Sequence, residues 1–175
     1  ARWVLCVDTH PSTVAAAGGK FFFDDDQQFA DTQQVSFQYP GNGATGDQKL
    51  LVYEQRLWST NYPLNVDSGV EFYGTKGQMF LSRLGKIAVY GERNRRIEVN
   101  VTPGEQNAGK HVANFVHCVR TGDTPNGDIE LGHLTTSLCH LGNVATRLGR
   151  SFRFDPDTER VLADAEADQL MSRPY

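Results

Sequence analysis

Cysteine is scarce in this sequence and forms no pattern. Cys6, Cys118 and Cys139 are an odd set without a CxxC pair, so no dithiol redox motif is written here. They are expected to be small buried hydrophobes in a reducing compartment, and a catalytic thiol has no sequence partner. No apolar run reaches the length of a membrane span. Basic charge is in deficit: 17 Lys and Arg against 21 Asp and Glu leave a net charge of -4, which argues against wrapping nucleic acid by bulk charge. GxGxxG, GxSxG and HExxH motifs, internal repeats and low-complexity tracts are all missing. Without a strand, Gly-rich turn and helix in succession, the chain has no dinucleotide-binding half of its own.

What is present suits a globular domain. At 175 residues, with 39% hydrophobic and 22% charged, the chain can bury a real core. It opens on ARWVLCV, which reads as the middle of a helix or strand, and stops at LMSRPY without a polar tail. An excised fragment or processed product is expected. The first half reads as strands and the second as helices. That order predicts an α+β fold over residues 1–175 as a single domain: an open, mostly antiparallel β-sheet with helices packed on one face.

The strands are read as follows. TVAAAGGKFFF (13–23) carries a double glycine suited to a bulge or a close contact, and Asp24–Asp26 form a solvated turn. QVSFQYP (34–40) alternates Val35, Phe37 and Tyr39 against polar partners, the pattern of a half-buried strand. After a GNGATGD loop (41–47), KLLVYEQRLWS (49–59) is the longest candidate. One of its faces holds Leu50, Val52, Glu54, Arg56 and Trp58, the other Leu51, Tyr53, Gln55 and Leu57. GVEFYG, GQMFLSR and KIAVYG read as a meander, with one more strand at Ile97–Val101. Two helices are clearer. Val112, Phe115, Val116 and Val119 make one apolar face that ends at Gly122. A second helix is capped by Asp128, striped by Leu134, Leu138, Leu141, Ala145 and Leu148, and closed by Gly149. SFRFDP is a last short strand stopped by Pro156, and TERVLADAEADQLM is a final helical segment.

Four groups of residues invite a chemical reading. Gly74-Thr75-Lys76-Gly77 resembles a phosphate loop in composition. A Walker A loop needs GxxxxGK[ST] between strand and helix, and an RNA-binding GXXG loop sits between helices. Both flanks here are strands, so a hairpin turn is expected, its angles supplied by the glycines and Lys76 in water. His133, His140 and Arg147 share one helix face, either a polar stripe toward a substrate or partner subunit, or a solvent-facing one. Seven residues span about 10 Å of helix, too far for one metal ion, and no metal site is expected. Glu54, Arg56 and Trp58, with Asn61 and Tyr62 after them, combine charged hydrogen-bonding groups with an aromatic platform. That set suits a polyol; a cross-strand ion pair or a subunit interface fits it equally. His10-Pro11 and His111 have no motif around them and are expected at the surface.

Taken together, ARWVL, HPSTVAAAGGKF, VEFYGTKGQMFL and HVANFVHCVRTGDTPNGDIELGHLTTSLCHLGN occur in an order that resembles the C-terminal domain of the Gfo/Idh/MocA oxidoreductases, the group of glucose–fructose oxidoreductase and inositol dehydrogenase. GDTPNGDIELGH and LGNVATRLGR…FDPDTE are similar to the branch abundant in planctomycete-type bacteria. The resemblance implies a C-terminal substrate-binding and oligomerisation domain, with NAD or NADP held by an N-terminal Rossmann domain that this chain lacks. None of the cofactor is expected to bind this chain alone. The family's EKP lysine and HxxD histidine lie upstream of Ala1, so the resemblance assigns no catalytic residue here. It implies substrate-facing roles for Arg56, Trp58, Asn61 and Tyr62, for Arg2, which follows the missing histidine motif, and for His133. It also implies a homo-oligomer joined through the sheet face and a sugar or cyclitol substrate. The same family fold runs NAD-assisted glycoside cleavage, and a stand-alone binding module is the alternative from a different class.

Overall fold

The computed structural model describes residues 1–44, 46–102, 104 and 107–172. Thr45 of the 41–47 loop and the last three residues of LMSRPY lie outside the described residues. In chain order the elements begin with α1 (Arg2–Leu5), β1 (Thr13–Gly19), β2 (Thr32–Tyr39) and β3 (Lys49–Arg56). Then come β4 (Gly69–Gly74), β5 (Gly77–Ser82), β6 (Ile87–Gly91), β7 (Arg96–Ile97) and α2 (Ala108–Thr121). The chain closes with α3 (Ile129–Leu148), β8 (Phe152–Asp155), β9 (Arg160–Leu162) and α4 (Ala165–Gln169). Its contacts cluster into two compact units, Ala1–Trp58 with the chain from Gly127 onward, and Ser59–Asn126.

The first unit is built on a five-stranded antiparallel sheet in the order β3-β2-β1-β8-β9. Alternation along β2 sets its faces. Gln33, Val35, Phe37 and Tyr39 are buried, while Gln34 and Gln38 are exposed. Helix α3 covers the buried face with Leu134, Leu138, Leu141, Val144 and Ala145, and the core is completed by Val14, Phe152, Phe154, Val161 and Ala167. The opposite face of β3 carries Leu50, Val52, Glu54 and Arg56, all exposed, so within this unit α3 covers one face of the sheet and leaves the other open.

The second unit is a four-stranded antiparallel meander, β4-β5-β6-β7, together with α2. Gly74 pairs with Gly77 across a two-residue turn. Neither glycine takes a positive φ, which corrects the expectation that they supply turn angles. At Gly77 the constraint is close approach instead: a Cβ there would press on the Tyr90 backbone carbonyl and the Gly91 Cα of the neighbouring strand.

Several expectations are revised. TERVLADAEADQLM is not one helix, because Arg160–Leu162 pairs with β8 and only Ala165–Gln169 is helical, capped by Asp164 accepting from the Ala167 N–H at 3.1 Å. The strand expected at Ile97–Val101 is reduced to Arg96–Ile97, the only stretch there that pairs with β6. Cys118 is buried, but Cys6 and Cys139 are exposed. Val112, Phe115, Val116 and Val119 do share one face of α2, yet all four are exposed. His10 and Pro11 are buried, not superficial, because the segment before β1 is tucked against the β8 strand.

These contacts make the two glycines of the hairpin unequal. Gly77→Ala is expected to lower stability by about 1–3 kcal/mol, since the colliding atoms are backbone. Gly74→Ala, whose Cβ would stand 3.6 Å from the Gly77 carbonyl, is expected to be nearly neutral. Denaturant unfolding of both variants measures the difference, and equal stabilities would refute the close-approach account.

Candidate functional site

Two polar clusters stand out in the first unit. The first is organised by Asp31, which sits just before β2 and is 2% exposed. Its Oδ1 accepts from the Phe21 N–H at 3.1 Å, and its Oδ2 from Phe22 and Phe23 at 2.9 Å each. The Thr32 hydroxyl donates to Oδ1 at 2.8 Å and accepts from Trp58 Nε1 at 2.8 Å. One buried carboxylate thus folds the Phe21–Phe23 turn and, through Thr32, fixes the indole of Trp58. The indole lies stacked on Phe22 with ring centroids 5.7 Å apart. Burial pushes the Asp31 carboxyl up, but the N–H groups of Phe23, Phe22 and Phe21 and the Thr32 hydroxyl outweigh it and hold it well below the usual carboxylate range. Arg56 stands opposite Thr32 in the β2–β3 register and pairs with Glu54 along its own strand at 3.3 Å, not across strands.

The second cluster joins three distant parts of the unit. His133 projects from α3, His10 from the segment before β1, and Glu159 from the β8–β9 hairpin. Glu159 Oε1 meets His133 Nε2 at 2.8 Å and His10 Nε2 at 3.0 Å. The His10 ring packs edge-on to His133 and to Phe154, with centroids at 5.5 and 5.7 Å. Its Nδ1 is buried without a hydrogen-bond partner, so all of its polar contact is on the Nε2 side. The hydrogen bond to the Glu159 carboxylate and then its charge raise the His133 pKa, and the same pairing, led by His133, depresses Glu159.

The hairpin that delivers Glu159 is clamped by Asp155, whose carboxylate accepts from the Asp157 and Thr158 N–H groups and from the Thr158 hydroxyl at 2.7 Å. Glu159 follows in the left-handed region with φ 54°, a conformation that costs a non-glycine residue roughly 1 kcal/mol.

The residues singled out from sequence are placed as follows. Arg56 and Trp58 share the Asp31 neighbourhood on the uncovered sheet face. Asn61 and Tyr62 fall in the second unit, where the Asn61 carbonyl accepts from the Ser59 hydroxyl at 3.2 Å and Tyr62 is exposed. Arg2 is buried, donating to the Val7 carbonyl at 3.0 Å, with its Nε unpartnered and the equally unpartnered Tyr39 hydroxyl in the same buried region. Of the helix stripe, His133 joins Glu159, Arg147 lies over the Phe29 ring at 5.5 Å, and His140 is exposed. Glu159 and His10 are the residues that sequence reasoning passed over. FDPDTER does not mark Glu159 as a site residue, because its left-handed backbone and its place in a hairpin appear only in the folded chain.

Comparison with known proteins gives the class. The profile described as "Oxidoreductase family, C-terminal alpha/beta domain", of the Gfo/Idh/MocA group, matches residues 72–175. The chain therefore belongs to the Gfo/Idh/MocA oxidoreductase family and is of its C-terminal-domain type. Comparison with curated proteins gives no match. Among solved structures, the chain is similar to a Thermotoga maritima protein assigned as an oxidoreductase (13% identity, TM-score 0.56, covering 82% of this chain and 40% of that one). It is also similar to aldose-aldose oxidoreductase from Caulobacter crescentus, solved with glycerol (16% identity, TM-score 0.56, covering 83% and 42%). At these identities the likeness is one of fold, and the chain spans about two-fifths of the length of each.

The described residues do not fit the family's dinucleotide. Both sheets are antiparallel throughout. The two long helices begin on Asn107 and Asp128, whose side chains already accept the first free N–H groups, at 2.9 Å from Gly109 and 3.2 Å from Glu130. At Asp128 a phosphate would also meet a carboxylate. Lys76 of the hairpin lines an open hollow of about 490 Å³ with Glu92, Arg93 and Arg95, where an acid stands among the bases.

Substitution of the organising carboxylate has a local outcome. Asp31→Ala is expected to speed amide hydrogen exchange at Phe21–Phe23 by roughly tenfold or more, because three bonds to a charged acceptor vanish together. In the wild type the stabilisation is complete above the ordinary carboxyl value of 3.8 and is lost only as pH falls through the depressed one. Exchange protection in this turn should therefore persist unchanged from neutral pH to about 4.

Proposed function

We propose that the chain is the substrate-side, C-terminal part of an NAD(P)-dependent oxidoreductase that moves hydride to or from a secondary alcohol carbon of a sugar or cyclitol. The nucleotide is held by an N-terminal Rossmann domain of the same protein. The observation that carries this reading is family membership over residues 72–175, in a chain that spans only 40% and 42% of the oxidoreductase structures it resembles. GDTPNGDIELGH and FDPDTE favour the branch abundant in planctomycete-type bacteria. A sugar substrate is favoured by the aromatic platform of Trp58 on Phe22 beside Arg56, since stacked rings suit the C–H faces of a polyol and a guanidinium its hydroxyls. Of the residues singled out from sequence, Arg56 and Trp58 are the substrate-facing pair, while Arg2, which is buried, and His133 stand on the α3 side of the sheet. One chain of the same fold is named for action on aldoses.

The uncovered face of the first sheet, with exposed Leu50 and Val52 on β3, is the surface through which we propose that copies associate. That apolar face also favours a second reading, in which the chain is only a binding and oligomerisation module.

Calorimetric titration of this chain with NAD+ and NADP+ is expected to give no saturable binding. The protein extended upstream through a Rossmann domain is expected to bind one of them and to reduce it with free sugars or cyclitols. Tight nucleotide binding by the chain alone would sink the division of labour. An extended protein that binds neither nucleotide would favour the module, and release of free sugar from glycosides would redirect the activity to glycoside cleavage.

A further inference from the structure

The three groups beside the β8–β9 hairpin converge more tightly than an ordinary surface ion pair. The Nε2 atoms of His10 and His133 and Oε1 of Glu159 lie within 4.8 Å of one another, and both imidazoles approach the same carboxylate oxygen. Two imidazoles and one carboxylate are the donor set of a borderline divalent cation. Mg2+ and Ca2+ prefer oxygen alone. Around a tetrahedral ion with bonds of about 2.0–2.2 Å, donors stand roughly 3.3–3.5 Å apart. The 2.8 and 3.0 Å separations from Glu159 must open slightly, and the two imidazole nitrogens, which stand within 4.8 Å, must settle to the same spacing, an adjustment that the half-exposed Glu159 and His133 can supply by side-chain rotation.

We infer that His10, His133 and Glu159 form a divalent-cation site of the zinc class, with a fourth coordination position facing solvent.

Two donors stand on rigid supports. His133 lies in the first turns of a 20-residue helix whose next turns are packed into the core. His10 is 3% exposed, is held between His133 and Phe154, and precedes a fully buried proline. The third donor is placed at a cost. Glycine is the favoured residue at φ 54°, yet a glutamate occupies that point of the turn with its carboxylate aimed at both imidazoles. The surrounding charge suits a cation. Glu130, one turn before His133, adds negative potential, and Arg160, next to Glu159, is drawn away by its ion pair with Asp168. The open side follows from exposure, since His133 and Glu159 each keep 46% of their side-chain surface. Three protein donors and one open position match the arrangement in which zinc takes a water or a substrate oxygen. This site is independent of the nucleotide assignment, because it uses only this chain's side chains.

Calorimetric titration of the chain with Zn2+ tests it, alongside thermal unfolding with and without the ion. The wild type is expected to bind about one equivalent and to unfold at a higher temperature with Zn2+ present. His133→Gln and Glu159→Gly are each expected to weaken binding by more than about tenfold, as removal of a direct ligand should exceed the effect of removing its support. Glu159→Gly guards against misfolding, since glycine suits that backbone conformation, and far-UV circular dichroism checks both variants. No binding by the wild type, or a loss of less than about tenfold in either variant, overturns the assignment.

Discussion

Helix α3 lies so close to the inner face of the five-stranded sheet that a Cβ at Gly142 would press on Val35 and touch Phe37. Leu141, beside that glycine, is wholly buried, and a fully buried leucine is worth about 1.5–3 kcal/mol. The apolar contact is given a register by one polar side chain. Gln33, buried on β2, donates to the Gly142 carbonyl at 3.3 Å and to the Thr146 hydroxyl at 2.6 Å. A buried amide without those partners would be costly, so the helix is held at one axial position on the sheet. Everything placed on α3 inherits that position. His133 is set where Glu159 and His10 can reach it, and Arg147 lies over Phe29.

Both polar clusters depend on the same principle, an acid with several donors at the end of a strand. Asp31 gathers three backbone N–H groups and a hydroxyl and so shapes the turn on which Trp58 rests. Asp155 does the same for the β8–β9 hairpin and thereby carries Glu159 to its histidines. In each case local hydrogen bonding fixes the backbone, and the side chain that faces outward, Trp58 or Glu159, is positioned as a consequence. The uncovered face of the first sheet carries the remaining chemistry, an Arg56–Glu54 pair among exposed leucine and valine.

Much of this architecture was legible from spacing alone. Period-two alternation marked β2 and the faces of β3, and the leucine stripe with Asp128 and Gly149 delimited α3, because burial of one face imposes those periods directly. The end of the chain was misread. TERVLADAEADQLM has the composition of a helix, but β8 offered an unpaired edge and Asp155 built a turn, so Arg160–Leu162 became a strand. The apolar face of α2 was legible as a face but not as an exposed one, since periodicity records which residues align and not what covers them.

The sequence by itself determined most of the elements, the α+β class and, through the order of its segments, the family. Those properties rest on local propensity and on residues near one another in the chain. The tertiary structure alone decided that His10 is buried and that it meets Glu159, 149 residues away, together with His133. Such a meeting depends on β8 returning beside β1 and on α3 being locked to the sheet by Gln33. No spacing rule in the sequence encodes contacts of that range, because they are set by the packing of whole elements and not by the periods within them.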